Sequence, residues 1–524
     1  MKVLLVDALA AGSGKRRSSL DVIGAGPRAI AGVLEVNGIQ YNLRTAEDAL
    51  RRPPKDVDVL MVSAMTMDAP VALKIARKYR HAVKILGGPI TTDPTQVSLL
   101  GYDLGVWGEG EVALDSIIKS GGLEDPSNIP PETPNVIRVK RGRAVLGPTQ
   151  RISRDELNTY RPSTEAVEYY TSTPHFRYAR VYVEVERGCS NYLRPLLTAN
   201  RKICKSCGSC LGRRAPVQEC PQGIPPGCGY CSIPAVYGYP KSREKEAITA
   251  EVADLVSRRV QRVILSGADF LDFGRDEVAL PIDPCEPGPN LSAVEDLLDG
   301  IRRVPEIRRG EVYVGIENVK PCLLTDEAID LILGCLPDSV IHVGVETGDD
   351  AHSWLLGRPC PSSFAAERVI AAAQAGLRVY AYFIHGLPGQ TAKTVAATVS
   401  MIERFYEAGV EKVTVYRFKP LPGSAFERMP PGPPASKDRL SGMIESAARQ
   451  FNLRRKRQMV GSKLEVVMSG DVVTKYRVAY PFKEGPTCFV KGVPKNVPLG
   501  ERAIVQVTSD SSDRALVASH IGPA

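Results

Sequence analysis

Short, continuously apolar runs alternate along most of this chain with longer stretches of helical periodicity. Lys2 to Val6, Val57 to Val62 and Val83 to Leu86 are too short for helices and lack polar alternation. Each is expected as a short apolar strand. Pro70 to Tyr79 carries helical spacing, with Pro70 in the first turn where its missing N–H breaks no bond. Gly87-Gly88-Pro89 ends the third run, and glycines there permit a tight turn or close approach of a ligand. The pattern predicts an α/β chain that opens with a doubly wound Rossmann-like domain over residues 1-140.

Residues 120 to 178 are rich in Pro, Arg and Ser and read as a connector. Strand signals then return at Val181–Val185, Arg262–Leu265, Val312–Val314, Ile341–Val345, Val379–Phe383 and Lys412–Tyr416, with helical spacers such as Ile248–Arg259 and Phe364–Ala375. Six such strands predict a partial (β/α)6 barrel over residues 175-435, with any site at the strand C-terminal ends. Pro430 to Pro434 punctuates its end, and a helix is expected over Lys437 to Gln450. The tail, 455-524, changes to β-branched runs at Leu464–Met468, Tyr476–Tyr480, Thr487–Lys491, Ala503–Thr508 and Ala515–Ser519, the pattern of a small all-β barrel.

A length of 524 residues allows about three domains, at roughly 100–200 residues each. No apolar run approaches the ~18 residues of a membrane span, so no membrane partner is expected. Met1 to Asp7 is too short an apolar start for a signal peptide, and a cytoplasmic location is expected. The net charge of +8 is a mild bias toward polyanions. Twelve cysteines in a reducing compartment point to metal or catalysis before disulfides.

Seven of the twelve fall between residues 189 and 231. Cys189 follows the first barrel strand, and Cys228-Gly229-Tyr230-Cys231 has the x2 spacing favoured by iron–sulfur ligands. Three thiolates on a 4Fe–4S cubane leave one iron open for a substrate. Cys204, Cys207, Cys210 and Cys220 form a second set. Four thiolates suit structural zinc. The C-x2-C-x2-C run with Cys220-Pro221 is closer to a bacterial ferredoxin, with a longer last spacing, and favours an auxiliary 4Fe–4S cluster. Cys285, Cys322, Cys335, Cys360 and Cys488 are scattered and expected as buried small hydrophobes.

On these residues the barrel half resembles the radical SAM superfamily. The family's C-x3-C-x2-C loop looks like Cys189, Cys228 and Cys231, with residues 190-227 inserted between the first and second thiol. Ser266-Gly267-Ala268-Asp269 is similar to the motif that binds the methionine amino group. Gly344-Val345-Glu346-Thr347-Gly348 looks like the ribose-contacting strand, with Glu346 accepting from the hydroxyls. Arg358 stands where the family often puts a carboxylate-binding arginine. Ile384-His385-Gly386-Leu387-Pro388-Gly389-Gln390-Thr391 resembles the adenine-proximal turn, and Tyr416 with Pro420-Leu421-Pro422-Gly423 fits the last strand and its exit. The resemblance implies Cys189, Cys228 and Cys231 as catalytic metal ligands. It implies Tyr230, Ser266, Gly267, Asp269, Glu346, Arg358, Gly386 and Pro388 as the S-adenosylmethionine site. It further implies cleavage of that cofactor to a 5′-deoxyadenosyl radical, with a reductant such as ferredoxin or flavodoxin.

Two flanking resemblances extend the picture. Val62-Ser63-Ala64-Met65, Leu86-Gly87-Gly88-Pro89 and Val106-Trp107-Gly108-Glu109-Gly110-Glu111 resemble a cobalamin-binding domain. There is no D-x-H-x-x-G and no histidine before His81, so cobalamin without a histidine ligand and a domain that has lost the cofactor both stay open. Simple turn chemistry also accounts for the glycines. Gly461-Ser462-Lys463-Leu464-Glu465-Val466-Val467 and Gly500-Glu501-Arg502-Ala503-Ile504-Val505-Gln506-Val507 resemble a TRAM (OB-like) barrel, the module often attached to tRNA-modifying enzymes. Arg454-Arg455-Lys456-Arg457 leads into it. Tyr476, Tyr480, Phe482 and Phe489 suit base stacking beside phosphate contacts; a solvated helix end is the plainer reading of the basic run. The resemblances imply modification of RNA, foremost tRNA, by C-methylation or methylthiolation. Methylthiotransferases carry their auxiliary cysteines in the N-terminal domain, whereas residues 1 to 188 hold none here. The alternatives are radical chemistry on a lipid, peptide or small cofactor, and a non-catalytic zinc-containing RNA-binding protein.

Overall fold

The structure, a computed structural model, describes residues 1–16, 19–173, 176–210 and 215–524. Residues 211–214 of the expected insertion, and 174–175 of the expected connector, lie outside them. The chain divides into two compact units, Met1–Val183 with Glu246–Val260, and Glu184–Lys245 with Gln261–Ala524.

Unit one is built on a seven-stranded sheet in the order Tyr41–Thr45, Val3–Asp7, Val59–Ser63, Val83–Gly87, Leu104–Val106, Val136–Lys140, Arg143–Leu146. The first five strands run parallel and the last two antiparallel. Val3–Asp7 is buried throughout, which is why its sequence shows no alternation. Helix Ala69–Lys78 buries Val71, Ala72, Ile75 and Ala76, one stripe at helical spacing. The doubly wound architecture is therefore as expected.

The expected connector is partly sheet. Val136–Lys140 and Arg143–Leu146 pair as a hairpin around Arg141 and Gly142, both at positive φ (50° and 74°). Two-residue hairpin turns need that geometry, and Arg-Gly does not advertise it as Asn-Gly would. Helix Lys245–Ser257, expected as a barrel spacer, falls largely in unit one. The fully buried Arg28 is the reason. It donates to Ser163 O and Tyr182 O, each at 2.9 Å, and to the Glu251 carboxylate. A buried guanidinium persists only with such partners, and they fix the helix that supplies Glu251.

In unit two, Arg262–Ser266 and Tyr313–Ile316 pair in parallel, and Val340–Glu346, Arg378–His385 and Lys412–Arg417 form a second parallel sheet. A parallel bridge from Asn318 to His342 joins the two groups. Helices Leu291–Arg302, Asp326–Cys335, Ser362–Ala375 and Ala392–Glu407 alternate with these strands, the repeat expected of a partial barrel. In Val340–Glu346 the odd residues Ile341, Val343 and Val345 are buried while His342, Gly344 and Glu346 are half-exposed, so one face stays open for chemistry.

The tail is a closed barrel in the order Lys463–Val473, Tyr476–Pro481, Thr487–Lys491, Ala515–Pro523, Arg502–Asp510. Thr487–Lys491 and Ala515–Pro523 pair in parallel and the other neighbours antiparallel. Five strands closed in this way are an OB-type arrangement. Val466, Met468, Val490, Val505 and Leu516 fill it. Among the described residues no helix is long and apolar enough to cross a membrane.

Candidate functional site

Two chain segments bring three half-buried thiols into one neighbourhood. Gly188, at φ 111°, turns the chain against Tyr239 O so closely that a Cβ would overlap it, and Cys189 N then donates to Gly238 O at 3.0 Å. Cys228 to Cys231 form a tight turn, with Cys231 N donating to Cys228 O at 2.8 Å. Gly229 has no room for a Cβ against the Phe426 ring, and it bonds Leu356 O and Phe426 N at 2.8 Å each. Burial pushes the Cys189 thiol up, with Lys320 opposing, and burial pushes Cys231 up to about 12, with Cys228 adding to it. Buried thiolates so disfavoured need a cation to form, and a bound metal supplies it. Among the described residues no three His, Cys, Asp or Glu groups converge closely enough for a single ion. Three cysteines are the ligand set that a 4Fe–4S cubane with one open iron would take.

Beside these thiols lies a linked set of polar side chains. Arg358 Nη1 donates to Tyr230 OH at 2.9 Å and to Cys228 Sγ at 3.4 Å, and Nη2 donates to Gly344 O. Glu346 stands 3.9 Å from Arg358 and is hydrogen-bonded to Tyr230. Burial raises the Glu346 carboxyl against the pull of Arg358. Glu346 follows a β-bulge at Gly344 and sits at φ 71°, a conformation that costs a non-glycine residue about 1–3 kcal/mol. Gly344 leaves the space into which the Glu346 carboxylate folds back. Behind Tyr230, Leu356, Leu387, Phe418 and Phe426 pack as an apolar wall.

The remaining expected residues take different positions. Gly386, at φ 71°, packs on Gly432 and donates from its N–H to Gln390 Oε1 at 2.7 Å. Pro388 O can only accept, so His352 Nε2 is the donor across 2.9 Å and Nδ1 accepts from Thr347 Oγ1 at 3.0 Å. Burial lowers the His352 pKa, in keeping with that neutral tautomer. Tyr416 is exposed and stacks on Tyr382. Ser266 ends its strand with its carbonyl accepting from Val185 N at 2.9 Å. Gly267 packs on Glu186 with no room for a Cβ. Asp269 is fully buried and occupied: Oδ1 accepts from Lys320 N and Leu271 N, and Oδ2 is 3.0 Å from Lys320 Nζ.

Sequence reading missed Asn191, which donates to Cys228 Sγ (3.4 Å) and Gly357 O (3.0 Å), and the buried set Ser190, Asp272, Arg275 and Lys320. Charged residues just past predicted barrel strands were the available signal. Cys285 and Cys322, expected as separate buried hydrophobes, instead form a disulfide, with Cys285 beside Pro359 O. Cys360 and Cys488 are buried as expected, and Cys335 is half-exposed.

The inserted thiols form a separate, local group. Asn200 caps helix Arg201–Cys207, accepting from Lys202 N and Ile203 N, so Cys204 and Cys207 stand one turn apart. Gly208, at φ 72°, ends the helix and returns the chain toward Cys210. Cys204, Cys207, Cys210 and Cys220 line one pocket with Pro195, Leu196 and Ile224. Arg194 holds the loop base through Ile224 O, Tyr192 O and Gln218 O. Four thiols around one apolar pocket fit a four-ligand cluster.

In unit one, the carboxyl ends of Val3–Asp7 and Val59–Ser63 are where a doubly wound sheet binds ligands. Asp7 there pairs with Arg16 at 2.8 Å and accepts from Tyr170 OH, while Asp68 accepts from the N–H groups of Ala10, Gly12 and Met65. The Asp7 and Asp68 carboxylates are thus engaged by Arg16, Tyr170 and the backbone N–H groups of Leu9, Ala10, Gly12 and Met65. Gly88 packs on Ala64 with no room for a Cβ, although Gly87 faces open space. This donor set does not fit a protein-ligated cobalamin, and no chemistry is derived through one.

The basic run before the barrel is consumed internally. Arg454 pairs with Glu403 at 2.7 Å and covers the Tyr406 ring, Arg455 donates to Val410 O and Tyr406 O, and Arg457 bonds Asp510. Lys456 is buried, and burial with Lys412 nearby brings its pKa down to about 8. Helix Arg439–Gln458 therefore continues through the run instead of ending before it. Phe482 is buried beneath Arg502, while Tyr476, Tyr480 and Phe489 are half-exposed.

The Radical SAM superfamily profile matches residues 217–402, which hold Cys228, Cys231, Glu346 and Arg358. A functionally uncharacterized protein of Methanopyrus kandleri is 37% identical, covering 98% of this chain and 95% of its own. The ribosomal protein uS12 methylthiotransferase RimO of Opitutus terrae is 26% identical over 54% of this chain and 59% of its own. The tRNA-2-methylthio-N(6)-dimethylallyladenosine synthase of Saccharophagus degradans is 27% identical over 48% and 52%. The solved radical S-adenosylmethionine methyltransferase TsrM of Kitasatospora setae, with cobalamin and a 4Fe–4S cluster bound, shares the fold. Its TM-score is 0.58 at 14% identity, over 81% of this chain and 77% of that one. The Methanopyrus relative spans the whole chain and the profile falls on the thiol-bearing barrel: the chain belongs to the radical SAM superfamily, as one of its enzymes.

Proposed function

We propose that this enzyme transfers a methyl or methylthio group to RNA, with tRNA as its first substrate class. The observation that carries the reading is the linked set Cys228, Arg358, Tyr230 and Glu346, in a chain that ends in a closed five-stranded barrel. Bound by Cys189, Cys228 and Cys231, a 4Fe–4S cluster would supply the electron that splits S-adenosylmethionine into methionine and a 5′-deoxyadenosyl radical. Arg358 would hold the methionine carboxylate, and Glu346 would accept from the ribose hydroxyls. Gly386 and Pro388 would flank the adenine, while the wall behind Tyr230 keeps water from the radical. Cys204, Cys207, Cys210 and Cys220 would hold a second cluster. A ferredoxin- or flavodoxin-type protein would deliver the electron.

RNA as acceptor is supported by the tRNA-modifying relative and by the exposed Lys463, Lys475, Lys491 and Lys495 on the barrel. A protein acceptor is the second reading, favoured by the ribosomal methylthiotransferase relative. The test is anaerobic reconstitution with iron and sulfide, reduction, and incubation with methyl-labelled S-adenosylmethionine and either unmodified tRNA or ribosomal protein. Formation of 5′-deoxyadenosine with label in tRNA is expected. Label in protein alone would move the assignment to the second reading, and zinc without iron would end both.

A further inference from the structure

The insertion raises a placement problem. Residues 190–227 separate Cys189 from Cys228, so the covalent chain no longer holds the first thiol near the other two. Something non-local must offset the ordering cost of that loop. The residue after Cys189 is where the structure does it. Ser190 Oγ donates to Asp272 Oδ1 at 2.8 Å and accepts from Lys320 Nζ at 2.7 Å and Arg275 Nη1 at 2.9 Å; its N–H faces Asp272 Oδ2. Asp272 and Arg275 are fully buried and paired, and Lys320 pairs with both Asp272 and Asp269. These groups follow two different strands, Arg262–Ser266 and Tyr313–Ile316. The hydroxyl beside the thiol is thus clamped by ends that only the folded barrel brings together.

We infer that Lys320 is a positioning residue that sets both the place of Cys189 and the electrostatics of the cluster this thiol would hold, an inference that rests on Cys189 being a cluster ligand. Through its 2.7 Å bond to Ser190 Oγ the ammonium is held at the residue next to Cys189. A thiolate-ligated cluster gains negative charge on reduction, so a buried cation nearby makes reduction easier. Without it, Asp269 and Asp272 lose a shared counter-charge, and the first cluster becomes both harder to assemble and harder to reduce.

The test compares wild type, Lys320→Met, Lys320→Arg, Ser190→Ala and Cys189→Ser as reconstituted full-length chains. The readouts are the electron paramagnetic resonance signal that changes on adding S-adenosylmethionine, its midpoint potential, and 5′-deoxyadenosine yield. Lys320→Met is expected to shift the midpoint negative and cut the yield at least tenfold, with Lys320→Arg recovering most of both. Ser190→Ala keeps the ion pairs but loses their shared hydroxyl, and is expected to lower occupancy of the responsive cluster with a smaller fall in yield. A wild-type midpoint and occupancy in Lys320→Met overturns the inference. If that variant does not fold, wild-type values in Ser190→Ala overturn it. A full responsive signal in Cys189→Ser would instead overturn the ligand assignment itself.

Discussion

The two thiol groups share one stretch of chain and are built in opposite ways. Cys204 and Cys207 are placed by a capped seven-residue helix, and Gly208 turns the chain back toward Cys210. Every element of that group lies within the insertion or at its base. Cys189, Cys228 and Cys231 are placed by Asp272, Lys320, Leu356, Arg358 and Phe426, residues that only the folded barrel brings near. If the local group holds the proposed second cluster, that metal would stabilise its loop. The barrel group gains its geometry from the fold.

The strongest test of this difference is ligand removal. Cys228→Ala is expected to abolish 5′-deoxyadenosine formation and to lower iron by about one cluster's share. Cys204→Ser with Cys207→Ser is expected to remove a similar share of iron while S-adenosylmethionine cleavage survives. Loss of cleavage in that pair, measured by product chromatography, would break the comparison.

Glycine substitutions probe the same contrast through stability. Gly229→Ala drives a methyl into the Phe426 ring and should cost about 1–3 kcal/mol globally, read as a fall in melting temperature. Gly208→Ala meets nothing within 4 Å and suffers only its left-handed backbone, roughly 1–2 kcal/mol confined to the loop. Equal melting shifts would contradict the local–global distinction.

A pH series sharpens it further. Burial holds the folded Cys231 thiol near 12, above the ordinary thiol range. Between those values the folded chain binds more protons than the unfolded one, so its stability falls as pH rises, by about 1.4 kcal/mol per unit for this thiol. Hydrogen bonds from Ser209 lower the exposed Cys207 thiol, which gives the opposite sign. Metal-free protein should therefore lose stability between pH 9 and 12, and Cys231→Ala should lose less of it. The smallest effect is expected from Tyr230→Phe, which leaves Arg358 and Glu346 without their shared hydroxyl. A roughly tenfold rise in KM for S-adenosylmethionine, about 1.4 kcal/mol, is expected with unchanged iron content.

Some misreadings have plain physical causes. The hairpin around Arg141 and Gly142 was hidden because its turn uses Arg where a sequence signal needs Asn or Asp. The run Arg454 to Arg457 carries the charge of an RNA contact, yet Glu403, Tyr406 and Asp510 consume most of it. Charge in a sequence does not say whether a partner already lies within the same fold. Cys285 and Cys322 looked unrelated because 37 residues separate them, and only the loops around Lys320 bring them together.

The sequence by itself determined the order of elements, the two sets of thiols and the family. Short apolar runs, alternation in the tail barrel and tight thiol spacings are all properties of near neighbours in the chain. The tertiary structure alone decided what surrounds those thiols. The clamp on Ser190, the bond from Arg358 to Cys228 and the contact of Gly229 with Phe426 join residues from 82 to 197 positions apart, counted from their numbers. No local pattern encodes such contacts, because they follow from where parallel strands end in space.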